Sequence, residues 1–255
     1  MNLITIYGLF FVLLCFGLVV LFLASDRSHP GRLLREIPAF VKLRRVVGMA
    51  VEAGTRLHVS IGRGAMTSEQ SAPAFAGLSI LSRVARAASI SDRPPVATSG
   101  EGSLGVLTQD TLRGAYRVMG VESQYEDTSG RITGLTPFSY AAGTMPIIRD
   151  EHISINVLLG SFGSEVALIA DAAEQSGSLI LGGTDSLPGQ AVLYATAEEP
   201  LIGEEIFAGG AYLGAGLLHE ASLRMQDIMR FLIIALIILG VVLRLLGVEP
   251  FSFSR

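Results

Sequence analysis

The chain has 255 residues, of which 50% are hydrophobic and only 16% charged; a soluble domain runs nearer a quarter charged, so part of the chain belongs outside water. A single cysteine, Cys15, excludes an intrachain disulfide and a thiolate metal cluster. The net charge of −4 is uneven, +3 over Ser25–Gly54 and −9 over Thr55–Ile228, and an acidic body excludes nucleic acid as a partner, because phosphate binding needs clustered positive charge.

Leu3–Ala24 runs 22 residues without a charge, about 33 Å as a helix, enough to cross a hydrocarbon core. No basic leader precedes it, and Phe22-Leu23-Ala24 makes a poor cleavage site, so it reads as a retained transmembrane helix rather than a signal peptide. Residues 25–54 form a basic juxtamembrane neck in which Arg27, Arg32, Arg35, Lys42, Arg44 and Arg45 are interleaved with Leu33, Leu34, Ile37, Phe40 and Val41. Pro38 opens or kinks a helix there. Two readings of the neck stand side by side. It is an interfacial helix on anionic headgroups, worth about 1 kcal/mol per basic residue, or its charges merely set topology.

From 55 to 228 the pattern is that of an α/β domain. Leu57–Ile61 reads as a strand, closed by Gly62-Arg63-Gly64 and followed by a helix over Ala72–Ala88. Pro95–Thr98 is a second strand, closed by Gly100-Glu101-Gly102 before a helix over Ser103–Met119. Ile153–Leu159 leads through Gly160-Ser161-Phe162-Gly163 to a helix over Glu165–Gln175, with Ser164 as its N-cap and Gly177 as its stop. Leu179–Leu181, a glycine pair at Gly182-Gly183 and a helix near Gln190–Ala197 repeat the unit. Strand, glycine turn and helix, repeated in this way, predict a mostly parallel sheet with flanking helices.

Gly120–Arg149 is less regular. Thr128-Ser129-Gly130 marks a turn, and Thr136-Pro137 and Met145-Pro146 break any helix, so this stretch reads as an insertion or an edge hairpin. Ile206–Leu218 has small residues three and four apart, a spacing that lets helices approach closely in membranes or oligomer interfaces; too short to span a bilayer, it reads as a close-packed core helix rather than a re-entrant segment. Phe231–Val248, 18 residues and about 27 Å, is the second transmembrane helix, with Arg244 near its end able to snorkel. Lys and Arg follow the first span and precede the second, so the central domain is expected in the cytoplasm and both termini outside.

Gly100-Glu101-Gly102-Ser103-Leu104-Gly105 matches G-x-G-x-x-G between a predicted strand and a predicted helix, the context of a dinucleotide-binding turn. Against it, Glu101 sets a carboxylate where a phosphate would sit, and no acidic residue closes a following strand. The plain reading is a structural turn. If a small anionic ligand binds, the cradle is Gly100, Gly102 and Gly105, or Gly160 and Gly163 in the weaker version after the third strand. No nucleophile elbow exists, since Gly160-Ser161-Phe162-Gly163 has its serine one place early. His58 within a strand reads as a satisfied core or face histidine, and His29 lies in the neck. Asp150-Glu151-His152, His219-Glu220 and Glu198, Glu199, Glu204 and Glu205 are solvated faces rather than metal ligands, because no H-E-x-x-H spacing is present. No catalytic residue, metal or cofactor is called for, and a binding role is favoured over an enzyme.

The runs SDRPPVATSGEG (91–102), QDTLRGAY (109–116), GLTPFSYAAGTMPIIRDEHISINVLLGSFGSE (134–165) and EEPLIGEEIFAGGAYLGA (198–215) resemble a family of uncharacterised bacterial membrane proteins. That family shares a domain of unknown function between terminal hydrophobic segments, and the resemblance covers most of residues 45–246. It implies one intact domain plus anchors in a bacterial plasma membrane and carries no activity with it.

The expectation is therefore an α/β domain with a mostly parallel sheet, bracketed by two transmembrane helices and in contact with the lipid bilayer. Its expected role is that of an interaction or scaffold protein acting as a homo-oligomer. The alternative is a membrane-tethered sensor that binds a nucleotide or other small anion at the glycine turns.

Overall fold

The computed structural model describes residues 3–28, 36–68, 71–214 and 216–246. His29, Arg32, Leu33, Leu34 and Arg35 of the neck, and Val248 and Arg255 at the other end, lie outside them. The helices are α1 (Leu3–Ser28), α2 (Pro38–Glu52), α3 (Ser71–Ala88), α4 (Gly102–Val118), α5 (Pro137–Asp150), α6 (Val166–Gln175), α7 (Leu187–Thr196), α8 (Gly209–Tyr212) and α9 (Leu217–Leu245). The strands are β1 (Arg56–Gly62), β2 (Val96–Ser99), β3 (Gly130–Ile132), β4 (Ile153–Ser161), β5 (Leu179–Gly183) and β6 (Glu199–Leu201).

The chain divides into two units. In one, α1 packs on α9, and each is long and apolar enough to cross a membrane. Tyr7, Phe10, Phe16 and Leu21 of α1 are all at least 60% exposed, and the helix is apolar on every face. The apolar run from Phe231 is not a separate element. It is the second half of α9, continuous with a polar first half that carries His219, Glu220, Arg224 and Asp227.

The other unit, α2 to α8, is an α/β sandwich. Its six strands are parallel in the order β3-β2-β1-β4-β5-β6. The chain builds outward from β1 through β2 to β3, then returns to the centre and builds outward again through β4, β5 and β6. This is the doubly wound order of dinucleotide-binding sheets, with the reversal between β1 and β4. Leu57, Val59, Ile61, Val157 and Leu159 face the layer of α2, α3 and α4, while Leu158 and Ile180 face α5, α6 and α7. Both faces are covered, so the strands read as near-continuous buried runs.

Three stretches depart from the expected elements. The apolar side of the neck, Phe40, Leu43, Val46, Val47 and Ala50, is buried in α2, and Phe40 stacks on Tyr212 at 5.3 Å; these residues belong to the core of the α/β unit. Thr136-Pro137 starts a helix instead of breaking one. Thr136 and Ser139 form a reciprocal cap and Pro137 takes the first turn of α5, where a missing N–H is no loss. Pro146 sits inside α5, and the carbonyl it deprives of a donor, on Ala142, lies on the exposed side where water can reach it. Ile206–Leu218 is not one helix but a tight turn over Gly203–Ala208, α8 and the start of α9, divided by Gly214 and Gly216 at φ 70° and 135°. Its small residues still serve close packing, since a Cβ on Gly209 would meet Ile80 at 2.5 Å. Glu165, not Ser164, precedes α6 as its cap residue.

The β1–β4 junction is the tightest approach in the sheet. A Cβ on Gly160 would overlap the Ile61 carbonyl, and one on Gly62 would overlap that of Ser161. Gly160→Ala is therefore expected to destabilise the protein by about 3 kcal/mol, at the upper end of overpacking. Gly114→Ala in the middle of α4, where a Cβ meets nothing within 4 Å, is expected to stabilise by about 1 kcal/mol. Thermal unfolding followed by circular dichroism separates the two, and equal effects would show that the junction is not closely packed.

Candidate functional site

Open α/β sheets bind ligands outside the carboxyl ends of their strands, at the reversal point. Here that point lies between Gly62-Arg63 and Ser161-Phe162. The ladder continues through it, with Arg63 N–H donating to the Ser161 carbonyl at 3.0 Å and Gly100 N–H to the Gly62 carbonyl at 2.8 Å. The glycines at Gly62 and Gly160 thus let two strands meet, rather than let a ligand approach the backbone.

The five glycines singled out from sequence all lie at this edge, each with a packing neighbour or a carboxylate nearby. Gly100 lies under the Arg63 side chain and against Tyr140, and Gly105 seats α4 on Ile132 of β3. At Gly102 a Cβ would meet open space. The N-terminus of α4 is occupied by the chain itself. Glu101 accepts from Leu104 N–H at 2.9 Å and from the Ser103 hydroxyl. The Ser103 hydrogen bond is the largest influence holding the Glu101 carboxyl below its usual range. At the β4 turn, Glu165 is 6% exposed and accepts from Gly163 N–H at 2.9 Å. Its Oε2 lies 2.5 Å from the place a Cβ on Gly163 would take. In both turns a carboxylate of this chain stands where a bound anion would lie.

Arg63, which no motif flagged, leans over the reversal point. Its Nη2 donates to the Leu135 carbonyl at 3.1 Å, and its Nε is buried with no partner among the described residues.

Behind this edge, on the face toward α5 and α6, the central strands carry a row of buried polar side chains: His58 and Ser60 on β1, Thr98 on β2, Asn156 on β4. They form a hydrogen-bond chain whose direction is set at one end. The Ser178 hydroxyl donates to the Ala173 carbonyl at 2.9 Å, so it accepts from Asn156 Nδ2 at 2.8 Å. The Asn156 oxygen then faces His58 Nδ1 at 2.9 Å and needs a donor there. A neutral His58 protonated at Nδ1 accepts at Nε2 from Thr98 at 2.9 Å. Thr98 accepts from Tyr140 at 3.2 Å, and Tyr140 from Ser60. Burial is the main cause that lowers the His58 pKa to about 4, and burial raises that of Tyr140. The chain leaves every member neutral and satisfied, which makes it a structural spine. Of the two places open to His58 in its strand, core or face, the structure gives the core.

The remaining candidates lie elsewhere. Glu151 is clamped by Arg56 at 2.5 Å and by Arg131. With Asp150 and His152 it lines a cleft of about 400 Å³ near the amino ends of the strands, beside Asp92 and Arg93. His152 turns the chain there with φ 52°. Glu198 pairs with Lys42 at 2.7 Å, and Glu205 accepts from Ile202 N–H at 3.2 Å. Among the described residues no group of three or more His, Cys, Asp or Glu could hold a metal ion.

The sequence pattern of the family described as Domain of unknown function (DUF6754) matches residues 2–254, and the chain belongs to that family. No curated protein and no solved structure matches it.

The spine makes a pH prediction. Above pH 6.5 His58 is neutral in the folded and unfolded chain alike, and stability is at its full value. As pH falls from 6.5 toward 4 the unfolded chain takes up a proton that the folded one refuses. Stability then declines by about 1.4 kcal/mol per pH unit, roughly 3 kcal/mol in all, with no further loss from this group below pH 4. His58→Gln should lower the baseline and flatten that part of the curve. Denaturant unfolding at half-unit pH steps checks both, and an unchanged slope in the variant would mean that another group titrates.

Proposed function

We propose that the chain is a scaffold anchored in a bacterial plasma membrane by α1 and α9, with its α/β unit in the cytoplasm and both termini outside. It acts as a homo-oligomer through that unit. The topology is supported by the charge distribution: Lys42, Arg44 and Arg45 follow the first apolar helix, and Arg224 and Arg230 precede the apolar half of the second.

The observation that carries the reading is the outer face of α7. The helix has no charged residue. Leu187 and Tyr194 are 79% and 69% exposed, and Pro188, Ala191 and Ala195 are exposed with them. Spaced as i, i+1, i+4, i+7 and i+8, they make one apolar stripe. A stripe without charge fits a second copy of itself, since a two-fold contact opposes the same surface and like charges would repel. Two copies tethered in one bilayer also meet at a raised effective concentration. The self-capped glycine turns support binding through a surface rather than through a nucleotide pocket.

A second reading, a sensor for a small anion, is favoured by Arg63 at the reversal point, whose buried Nε has no partner among the described residues. In that case phosphate should raise the melting temperature of the full chain and the Arg63→Gln variant should lose the effect; no shift in either protein would dispose of it.

For the scaffold, mass photometry of the full chain in lipid nanodiscs and in mild detergent should show a defined multimer. Ala191→Glu with Tyr194→Glu should weaken it at least tenfold, about 1.4 kcal/mol. A wild-type chain that stays monomeric at high concentration would sink the proposal.

A further inference from the structure

On the α2–α3–α4 side of the α/β unit lies a groove of about 570 Å³, within the size range of pockets for small organic ligands. Its walls include Leu43, Val47, Val84, Val118, Met119 and Leu213. Val118 and Met119 are 63% and 44% exposed, so the apolar wall is open to what lies in the groove. Three arginines, Arg44 from α2 and Arg83 and Arg86 from α3, line the same space, and no carboxylate does.

None of the three forms an ion pair with another described residue, in an α/β unit that carries many more carboxylates than cations. Arg86 Nε is buried with no hydrogen-bond partner among the described residues. Burial and the neighbouring Arg86 charge hold the Arg83 guanidinium below its usual range, as expected of two cations sharing a site without a counter-ion. Arg83, Arg86 and Val118 also line a second groove of about 540 Å³ between α3 and α4, where the exposed Asp110 is the one carboxylate. The position of Arg86 in the last turn of α3 suits the helix dipole, but that accounts for neither Arg44 nor Arg83.

We propose that this groove binds the anionic headgroup and the adjoining acyl segment of a membrane phospholipid. The uncompensated arginines select the negative phosphate, and the apolar wall selects against a free anion, which would gain nothing from Leu43, Val47 or Met119. A bilayer supplies such amphiphiles at high local concentration. The proposal rests on the membrane-anchored reading, which alkaline carbonate extraction of cell membranes tests separately, and it does not depend on the oligomer.

The test uses the full chain in dodecyl maltoside, with dioleoyl phosphatidylglycerol, dioleoyl phosphatidylcholine or inorganic phosphate added, read by native mass spectrometry and melting temperature. Phosphatidylglycerol should give retained adducts and a raised melting temperature, and phosphatidylcholine should give neither. In R83Q/R86Q the affinity for phosphatidylglycerol should fall at least tenfold. If that variant misfolds, Gly48→Phe decides, because a Cβ at Gly48 on the groove wall meets nothing within 4 Å and a ring there blocks the space with every arginine retained. Adducts unaffected by either variant would place the lipid on the terminal helices and overturn the proposal. Equal retention of phosphatidylcholine would overturn it too, as would a phosphate shift that disappears in R83Q/R86Q.

Discussion

One hydrogen-bond chain, running in a single direction from Ser60 through Tyr140, Thr98, His58 and Asn156 to Ser178, is the constraint on which the α/β unit is built. Each member is buried, so a missing partner would leave the desolvation of a polar group uncompensated. The chain ties the three central strands to α5 and to the end of α6. It also fixes their register, because a slip of one residue would turn His58 and Ser60 toward the apolar α2–α3–α4 layer and Val59 toward the polar row. A slipped register would part groups that are partners here, and a fully satisfied polar core favours a unique arrangement over an approximate one.

The glycines at the carboxyl edge follow from the same demand for closeness. Gly62 and Gly160 let β1 and β4 run together through the reversal point, and Gly77 lets α3 lie on the backbone of Leu159. In doubly wound sheets that bind dinucleotides, the glycine-rich turn follows the first strand and opens onto the crevice. Here the G-x-G-x-x-G sequence follows the second strand, one position away from the reversal, and its helix N-terminus is satisfied by Glu101. Strand order is shared with nucleotide-binding sheets, while the helix N-terminus after the G-x-G-x-x-G turn is capped by the chain's own Glu101. Strand order by itself carries no function.

Much of the fold was legible in the chain because its strands are short apolar runs closed by glycine and its helices are amphipathic. The parallel sheet, the helices α3, α4, α6 and α7 and both terminal apolar helices follow from those patterns. β3 and β6 are three residues each, too short to carry a period. α5 was hidden by two prolines whose effect depends on position: Pro137 in the first turn and Pro146 on an exposed side are both tolerated. The neck read as surface because its basic residues are conspicuous, whereas burial of Phe40, Leu43 and Val47 needs partners far along the chain. At the candidate site Glu101 was visible as a misplaced carboxylate, since it lies inside the motif. Glu165 and Arg63 were not, because what they cover is set by folding. The polar spine had a faint signal in the alternate positions of LHVSIG and ISINVLLG, but its pairing joins residues 98 apart.

That separation has a consequence for synthesis. β1 emerges from the ribosome early, yet its central neighbour β4 follows nearly a hundred residues later, at His58↔Asn156. At about 5–20 residues per second the nascent chain waits roughly 5–20 s with one edge of β1 unpaired. Until then β1 has no β4 to pair with, and the sheet face it will share with β4 carries His58, Ser60 and Thr98, polar side chains that water can satisfy. The residues that lock the finished core thus make that face more polar, before β4 arrives, than the opposite one, which carries Leu57, Val59 and Ile61.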